Sequence, residues 1–462
     1  MLPDQFLDRM KEMLGEEYPP FLESLQEETY RALRVNTRKT EVTAFLEKAP
    51  FSLKKVPWTE NGFYYSNEDQ PGKHPLHEAG VYYIQEPSAM APVPFLFVEN
   101  GDRILDLCAA PGGKTSQIAD YMNGTGILIT NEIHPQRAKI LSENIERMGV
   151  KNAIVTNETP EKLAQIFPGY FDKILVDAPC SGEGMFRKNE EACTEWSAEN
   201  VSLCADRQDG ILEQAQLMLR PGGRMVYSTC TFAPLEDEGT ISRFLSKHPE
   251  FHIVKVNKPE GFTEGVGGWV QDPDPYISHT MRLMPHKVKG EGHYLAVLEK
   301  DGSGEQIFKR NSTNGIEKSI PQKEYSDFLD FSNKYLKKVN WSQGTWVRFG
   351  DQLYFGPIDM PSLKGLKVLR PGLHLGTLKK NRFEPSHALA LALKPGEVNA
   401  FLDYSMKARE PMQFLSGQTL VLEEGTHLNG WCLICVEGYS LGWGKVAGSI
   451  VKNHYPKGLR KV

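Results

Sequence analysis

Two cysteines each follow a short apolar run of the kind that forms a buried strand. The run at 172–177 ends in Asp177 and leads to Cys180, and the run at 224–229 is followed directly by Cys230. Because the carboxyl ends of parallel strands meet at one rim of an open α/β sheet, where such folds bind ligands, we expect both thiols at one site. Either cysteine alone is more often a small buried residue. Their shared position at strand ends predicts a two-cysteine active site.

Methylation of cytosine at carbon 5 is the reaction that calls for two thiols. That carbon is a poor nucleophile until a thiolate adds to carbon 6, and its proton must leave afterwards. Cys180 and Cys230 would divide these tasks, and Asp177 would hold the base through its ring nitrogen and amino group. Which thiol attacks stays open on the residues alone. DNA cytosine methyltransferases use a Pro-Cys pair and a Glu-Asn-Val segment, found here at 179–180 and 199–201, but the second match starts a helical pattern and Cys230 would have no role.

The stretch DLCAAPGGKT (106–115) follows an earlier strand pattern and precedes a helical one. Its small residues and glycines let the backbone approach a ligand at the start of a helix. It matches neither the dinucleotide fingerprint nor the phosphate loop, and an isolated glycine turn is more often structural. Glu132 ends the next strand pattern, where an acid can accept hydrogen bonds from both hydroxyls of a ribose. Together they favour S-adenosylmethionine as cofactor; the alternative is that Glu132 only caps the helix predicted at 135–148.

Strand and helix patterns alternate through the middle of the chain. Strands are predicted at 103–108, 127–131, 153–156, 172–177 and 224–229, with helices such as 135–148 and 200–219 between them and two further strands at 251–256 and 293–298. This alternation predicts a Rossmann-like α/β core with a mostly parallel, doubly wound sheet.

The flanking segments predict further domains. We divide the chain into a small N-terminal α+β RNA-binding domain (1–75), a methyltransferase domain (76–300), a linker (301–322), an intermediate α/β RNA-binding domain (323–385) and a PUA-like β domain (386–462). The linker is rich in Gly, Ser, Asn and charge and lacks sustained periodicity. Within the last domain, a helical stretch at 386–408 is expected to precede short strands.

Composition limits the classes of protein that fit. The 462 residues carry a net charge of −6, which argues against a chain that is basic throughout but allows a local basic face. Seven scattered cysteines do not make a disulfide framework, the acidic start is unlike a signal peptide, and no apolar run approaches the roughly 20 residues of a membrane span. We therefore expect a cytoplasmic protein without a membrane partner. Cys432 and Cys435, three apart in a strand pattern, point to opposite faces, so no metal site is expected.

Two stretches near the C-terminus carry basic residues and no acidic side chain. They are 362–383 and 441–462, and the second also contains Trp443 and Tyr455. Cations interleaved with aromatic rings suit phosphate neutralisation and base stacking, which favours RNA as partner. The alternative is a solvated charged face over core aromatics.

Three motifs in this order resemble the Sun family of RNA 5-methylcytosine methyltransferases: 106–115, DAPCSGEGMFRK (177–188) and STCTF (228–232). The resemblance implies a class I methyltransferase core in which Cys230 is the nucleophile and Cys180 assists product release. It also implies that S-adenosylmethionine is bound by Cys108, Ala109, Ala110, Pro111, Gly112, Gly113, Lys114, Glu132, Arg137 and Asp177.

The flanks narrow the resemblance to the RsmF group, which modifies 16S ribosomal RNA and carries a C-terminal PUA-like domain. They are LRVNTRKT (33–40), 74–90, RFEPSHALALAL (382–393), and LGWGK with NHYPKGLR (441–460). One position departs from the family pattern. Thr159 stands where the family commonly has an aspartate that contacts the adenine, so Thr159 or Asn157 would take that role.

The combined hypothesis is a monomeric, S-adenosylmethionine-dependent RNA cytosine-5 methyltransferase that acts on 16S ribosomal RNA and not on DNA. Two alternatives stay open. A transfer-RNA methyltransferase would use the same chemistry on another RNA, whereas a non-catalytic ribosome-assembly factor would bind RNA without turnover. The presence of Asp177, Cys180 and Cys230 argues against the second alternative.

Overall fold

The chain begins with a helical segment and a four-stranded antiparallel sheet. The structure is a computed structural model that describes residues 2–302 and 312–461. Its first elements are α1 (Asp4–Leu14), α2 (Tyr18–Ser24), β1 (Ala32–Val35), α3 (Val42–Lys48), β2 (Leu53–Lys55), β3 (Gly62–Tyr65), α4 (Pro75–Glu78) and β4 (Tyr82–Ile84). The strand order is β2-β3-β1-β4. The sheet is therefore completed by a strand that lies beyond residue 75.

The middle of the chain forms the central sheet and its helices. The strands are β5 (Arg103–Asp106), β6 (Ile127–Asn131), β7 (Ala153–Thr156), β8 (Phe171–Asp177), β9 (Leu219–Thr229), β10 (Phe251–Ile253), β11 (Thr263–Glu264), β12 (Met281–Leu283) and β13 (His293–Lys300). The helices are α5 (Gly113–Met122), α6 (Pro135–Arg147), α7 (Pro160–Ile166), α8 (Glu190–Glu195), α9 (Ala198–Met218) and α10 (Glu238–Lys247). Strands β9-β8-β5-β6-β7 run parallel, and β13 joins β9 antiparallel.

The central sheet is buried on both faces. In β8, Ile174 and Val176 face one hydrophobic core and Leu175 faces the other, and all three are fully buried. A strand that is covered on both faces has a continuous run of apolar residues, and the sequence of β8 shows such a run. The predicted doubly wound, mostly parallel α/β sheet is confirmed.

The C-terminal third contains two smaller sheets. Its elements are α11 (Ser326–Tyr335), β14 (Thr345–Phe349), β15 (Gln352–Gly356), β16 (Val368–Pro371), β17 (Leu373–Lys379), β18 (Arg382–Pro385), α12 (His387–Ala392), β19 (Phe401–Tyr404), α13 (Glu410–Leu415), β20 (Leu420–Val421), β21 (Gly430–Val436), β22 (Tyr439–Ala447) and β23 (Ile450–Asn453). The sheets have the orders β14-β15-β17-β18 and β19-β21-β22-β23-β20. Strand β16 instead pairs antiparallel with β7 and becomes an edge of the central sheet.

One expected element is wrong. The helical stretch predicted at 386–408 ends at Ala392, and Phe401–Tyr404 is a strand parallel to β21. Pro395 and Gly396 interrupt the helix, because proline lacks the amide hydrogen that a helix interior needs and glycine disfavours a helix.

The predicted linker, 301–322, lies only partly within the described residues, since 303–311 fall outside them. Its described end contacts the core. The Thr313 amide donates to the Ile166 carbonyl at 2.9 Å, and Ile316 forms a bridge with Pro361. In residues 2–302 and 312–461, no helix has both the length and the apolar character needed to cross a membrane.

Arg34 on β1 ties the N-terminal unit to helix α5. The residue is fully buried, and its guanidinium forms an ion pair with Asp120. It also donates to Gln85 Oε1 at 2.9 Å and to Ser116 Oγ at 2.6 Å. A buried cation is tolerated only when its hydrogens are paired, and this one is. The contact fixes the helix that follows the glycine loop.

Arg34→Ala should lower the free energy of unfolding, because it leaves the Asp120 carboxylate buried without this partner. Breaking a buried pair from one side costs about 3–5 kcal/mol. Urea denaturation of the full chain measures the effect. Arg31→Ala, at an exposed position of the same segment, is the matched control and should change stability by less than about 0.5 kcal/mol. Equal effects of the two substitutions would contradict the role given to Arg34.

Candidate active site

The carboxyl ends of β8 and β9 bring the two thiols into contact. The parallel register pairs Asp177 with Ser228, so the residues that follow each strand lie side by side. The Sγ atoms of Cys180 and Cys230 are 3.3 Å apart, and the Cys230 amide donates to Cys180 Sγ at 3.4 Å. Both side chains are partly accessible. Two free thiols in contact at an open rim can act on one substrate.

Glycines allow the loop after Cys180 to approach its neighbours closely. The Gly184 amide donates to the Cys230 carbonyl at 2.9 Å. A Cβ on Gly184 would lie 2.6 Å from the Gly292 carbonyl oxygen, which no side chain tolerates. Gly182 has a φ of +73°, in the left-handed region that favours glycine. The loop is therefore fixed against β9 and against the start of β13.

Glu236 supports the same loop and was not singled out in the sequence. Its carboxylate accepts hydrogen bonds from the Ser181 amide and from Gln208 Nε2, both at 2.9 Å. Gln208 also donates to the Pro179 carbonyl at 3.0 Å. Burial raises the pKa of Glu236 to about 7. The acidic Leu-Glu-Asp-Glu run after Cys230 could have pointed to Glu236 in the sequence. Acidic runs of this kind usually lie on a solvated surface, so the pattern did not predict a buried acid.

Asp177 lies beside the thiols among cationic and polar partners. Its Oδ2 is 2.8 Å from Lys114 Nζ, and its Oδ1 accepts a hydrogen bond from Ser228 Oγ at 2.7 Å. Burial opposes ionisation, but the Lys114 ammonium holds the pKa of Asp177 below its usual value. The carboxylate is thus available as an acceptor beside Cys180, whose own pKa is raised by its hydrogen bond with Cys230 and by burial.

The loop after β5 connects this rim to helix α5. The Ala109 amide donates to the Asn131 carbonyl at 2.8 Å, and Gly112 has a φ of +107° where the chain turns into α5. Ala109 and Ala110 are buried, Pro111 is exposed, and burial raises the pKa of Cys108. Gly113 and Lys114 open the helix, and the Lys114 side chain reaches Asp177. The loop therefore lies next to Asp177, at the rim that carries the thiols.

Glu132 directly follows β6, on the other side of this loop. It is almost fully buried, its Oε1 accepts from the His134 amide at 2.9 Å, and its Oε2 is 3.3 Å from the Arg137 guanidinium. Arg137 also donates to the Ala110 carbonyl at 2.9 Å. Glu132 contacts the start of α6 but also faces Arg137, so capping does not account for both oxygens.

The side chains of Thr159 and Asn157 both form local hydrogen bonds. The Thr159 hydroxyl caps α7 by accepting from the Lys162 amide at 3.3 Å. The Asn157 side chain donates to the Glu132 and Ile133 carbonyls at 2.7 and 2.8 Å. Asn157 is therefore the residue in direct contact with the segment that carries Glu132.

The prediction that Trp443 and Tyr455 stack on RNA bases at the surface is wrong. Trp443 and Tyr455 are each 2% exposed and pack in the core of the C-terminal sheet. Arg370 is also buried, in an ion pair with Glu146. The exposed cations of the two basic stretches are Lys364, Lys367, Lys379, Lys380, Arg382, Lys445, Lys452 and Lys457.

Cys432 and Cys435 are structural. Both are fully buried in β21 and belong to different hydrophobic cores, on opposite faces of the strand. Among the described residues, 2–302 and 312–461, no cluster of three or more histidine, cysteine or acidic side chains could hold a metal ion.

Family models match nearly all of this architecture. The N-terminal domain of 16S rRNA methyltransferase RsmF matches residues 2–87, and 16S rRNA methyltransferase RsmB/F matches 93–299. The first C-terminal domain of the RsmF rRNA methyltransferase matches 330–393, and the methyltransferase RsmF PUA domain matches 403–461.

Relatives and solved structures agree with the models. The chain is 33% identical over 474 residues to ribosomal RNA small subunit methyltransferase F of Aeromonas hydrophila and 32% over 478 residues to that of Vibrio vulnificus, covering 99% of this chain and 97% of each relative. A methyltransferase homologue from Pyrococcus horikoshii is 29% identical with a TM-score of 0.58, covering 64% of this chain and 95% of that one. NSun6 from the same organism, 22% identical with a TM-score of 0.56, shares the fold.

The doubly wound sheet with a glycine loop and paired thiols at its rim defines a Rossmann-like methyltransferase of the RsmB/F type. The four family models and the relatives that span the whole chain then specify it further. The chain belongs to the ribosomal RNA small subunit methyltransferase F family.

Glu236→Gln should make stability less dependent on pH. The folded pKa of about 7 lies above the ordinary 4.5, so the folded state keeps a proton that the unfolded state loses, and stability falls as pH rises from 4.5 to 7. The variant should be more stable than the parent at pH 8, by at most about 3 kcal/mol, and equal to it below pH 4.5. Urea denaturation across this range measures the difference. The exposed Glu260→Gln is the control, and a pH-independent effect of Glu236→Gln would contradict the assignment.

Proposed function

We propose that this chain methylates carbon 5 of a cytidine in 16S ribosomal RNA of the small subunit, through a covalent Cys230 adduct that Cys180 helps to release. The observation that carries the proposal is the 3.3 Å contact between the two thiols beside Asp177, in a chain of this family. A single structural cysteine would need neither a second thiol nor a carboxylate at an open rim. The pairing is what carbon-5 methylation requires.

The loop after β5 fits S-adenosylmethionine. The buried Asp106 has one carboxylate oxygen without a partner among the described residues, and burial raises its pKa to about 7. Glu132 directly follows the adjacent strand β6 and places a buried carboxylate there, as a ribose contact requires. The residues that would hold the cofactor are Cys108, Ala109, Ala110, Pro111, Gly112, Gly113, Lys114, Glu132, Arg137, Thr159 and Asp177. When bound, the cofactor supplies an electrophilic methyl group beside a sheet rim lined with carboxylates.

The thiols would perform two separate steps. The Cys230 thiolate forms a bond to carbon 6 as the double bond between carbons 5 and 6 opens, which makes carbon 5 nucleophilic. After methylation, loss of the carbon-5 proton restores that double bond and breaks the bond from carbon 6 to sulfur. Cys180, whose Sγ contacts that of Cys230, would accept the carbon-5 proton as a thiolate, after its own proton has passed to solvent. Asp177 would hold the ring nitrogen and amino group of the base during both steps.

RNA must be opened locally to reach this rim. Neither thiol can contact a base inside a helix, so the target base has to leave its stack. The exposed lysines of 362–383 and 441–462 would bind phosphates, together with the N-terminal unit and the two C-terminal sheets. Two of the matching family models are named for a 16S rRNA methyltransferase, and relatives across the whole chain are named ribosomal RNA small subunit methyltransferase F, which favours 16S ribosomal RNA as the substrate. The alternatives are a transfer-RNA substrate and a non-catalytic role in ribosome assembly.

Cys180→Ala should accumulate a covalent protein–RNA adduct, because addition through Cys230 still occurs and release does not. Cys230→Ala should abolish methyl transfer without any adduct. Denaturing gels of each variant incubated with RNA and S-adenosylmethionine separate the two results. Cys204→Ala, at a buried cysteine outside the rim, is the control that should form no stable adduct. Equal trapping by the two rim variants would overturn the division of roles.

Transfer of a labelled methyl group from S-adenosylmethionine should appear in the RNA of small ribosomal subunits, as 5-methylcytosine identified by mass. Bulk transfer RNA is the comparison substrate. Label in transfer RNA alone would keep the chemistry and reject the substrate. Retained cofactor binding with no label in either RNA would favour the assembly-factor alternative.

Glu132→Ala should weaken S-adenosylmethionine binding roughly 10–100-fold, which corresponds to loss of charge-assisted hydrogen bonds to the ribose. Isothermal titration calorimetry with the full chain gives the dissociation constant. Glu161→Ala, on an exposed position of α7, is the control. Unchanged cofactor affinity in Glu132→Ala would restrict Glu132 to its contact with the start of α6.

A further inference from the structure

His293 lies beside Asp177 at the candidate site and has no role in the proposed reaction. It is the first residue of β13, which pairs antiparallel with β9 in the register Tyr294 to Thr229. That register places His293 next to Cys230 at the same rim. The segment before it is clamped, since a Cβ on Gly292 would lie 2.2 Å from the Phe232 ring and 3.0 Å from Gly184 Cα. His293 therefore has a fixed position relative to both thiol loops.

The imidazole of His293 is buried and aimed at Asp177. The residue is 4% exposed, and its Nε2 lies 3.9 Å from Asp177 Oδ1. That distance is too long for a hydrogen bond, and Nε2 has no hydrogen-bond partner among the described residues. Leaving a buried polar nitrogen unpaired costs free energy, so a position of this kind is expected to serve a ligand.

The hydrogen of the neutral ring is assigned to Nδ1. Burial and the nearby Lys114 ammonium lower the pKa of His293 to about 4, so the ring is neutral at pH 7. A backbone hydrogen bond with Gly292 favours a hydrogen on Nδ1, because Nε2 has no such partner in the described part of the chain. In a neutral imidazole one nitrogen donates and the other accepts. Nε2 is therefore a lone-pair acceptor beside the ionised Asp177, and the two acceptors face the same space.

A second hydrogen-bond acceptor beside Asp177 would distinguish cytosine from uracil, which Asp177 alone cannot do. A carboxylate can accept a hydrogen from the amino group of cytosine, but it can equally accept the N3 hydrogen of uracil. The two bases differ at carbon 4, where cytosine carries an amino donor and uracil a carbonyl acceptor. An acceptor next to Asp177 attracts the amino group and repels the carbonyl oxygen.

We propose that His293 is a specificity-determining residue, whose Nε2 together with Asp177 Oδ1 receives the exocyclic amino group of the target cytosine and excludes uridine. Two acceptors that share one amino group lie roughly 4–5 Å apart, given hydrogen bonds of about 2.9 Å, and the 3.9 Å separation is close to that range. The Asp177 side chain is 30% exposed to solvent, whereas the His293 side chain is buried. The proposal rests on the proposed function, since it requires the target base to lie against Asp177.

The test compares RNA with cytidine or with uridine at the methylated position, once that position has been mapped by mass. The full chain, His293→Phe and His293→Gln are assayed for single-turnover methyl transfer and for binding of both RNAs. In His293→Phe, the preference for cytidine RNA should shrink roughly 10–100-fold, because one of two acceptors is lost. His293→Gln offers an amide oxygen near the same place and should recover part of the preference. His252→Phe, on the exposed face of β10, is the matched control and should keep the full preference.

The outcomes separate specificity from structure. A merely structural His293 would lower activity toward both RNAs equally and reduce the thermal midpoint, leaving the preference unchanged, and that result would overturn the proposal. Loss of preference with an unchanged or higher midpoint supports it, since an unpaired buried nitrogen has been removed. If Cys230→Ala still methylates RNA, the proposed function itself fails. If Cys230→Ala is inactive and His293→Phe keeps the preference, only the inference about His293 fails.

Discussion

The parallel pairing of β8 with β9 is the contact on which the site depends. Its register sets Asp177 beside Ser228, so Cys180 and Cys230 follow at the same level of the rim with their sulfurs 3.3 Å apart. The strands are buried on both faces, and a shift of register would disrupt the close packing of their apolar side chains. The core that stabilises the sheet therefore also fixes the distance between the thiols.

Burial gives this rim its electrostatic character. Lys114 and Asp177 compensate each other at 2.8 Å. The pKa of the Cys180 thiol is raised by its hydrogen bond with Cys230 and by burial, and the pKa of Glu236 is raised by burial. Titratable groups whose environments move their pKa values in different directions are typical of sites that transfer protons. The resulting arrangement offers one ionised acceptor and one thiol that retains its proton.

The outer units of the chain stabilise the rim from behind. The N-terminal unit contributes Arg34 to helix α5, and its α1 and α2 supply Phe6 and Phe21 to an aromatic cluster with Phe186 and Phe232, which lie on the two thiol-bearing segments. Strand β16 from the C-terminal third extends the central sheet beyond β7. Units that share a sheet or a buried ion pair keep their positions relative to one another, so the outer units are held at a fixed distance from the thiols.

The sequence by itself determined the local features. The alternation of strand and helix patterns through the middle of the chain predicted the parallel sheet, and the order of the three motifs predicted the family. It could not predict contacts between residues far apart in the chain. Glu236 beneath Ser181, His293 facing Asp177, and the pairing of β16 with β7 all join segments whose proximity depends on the packed core. The same limit explains the error at Trp443 and Tyr455: a basic stretch with aromatics has one sequence pattern, and only tertiary packing decided that the cations face solvent while the rings fill a core.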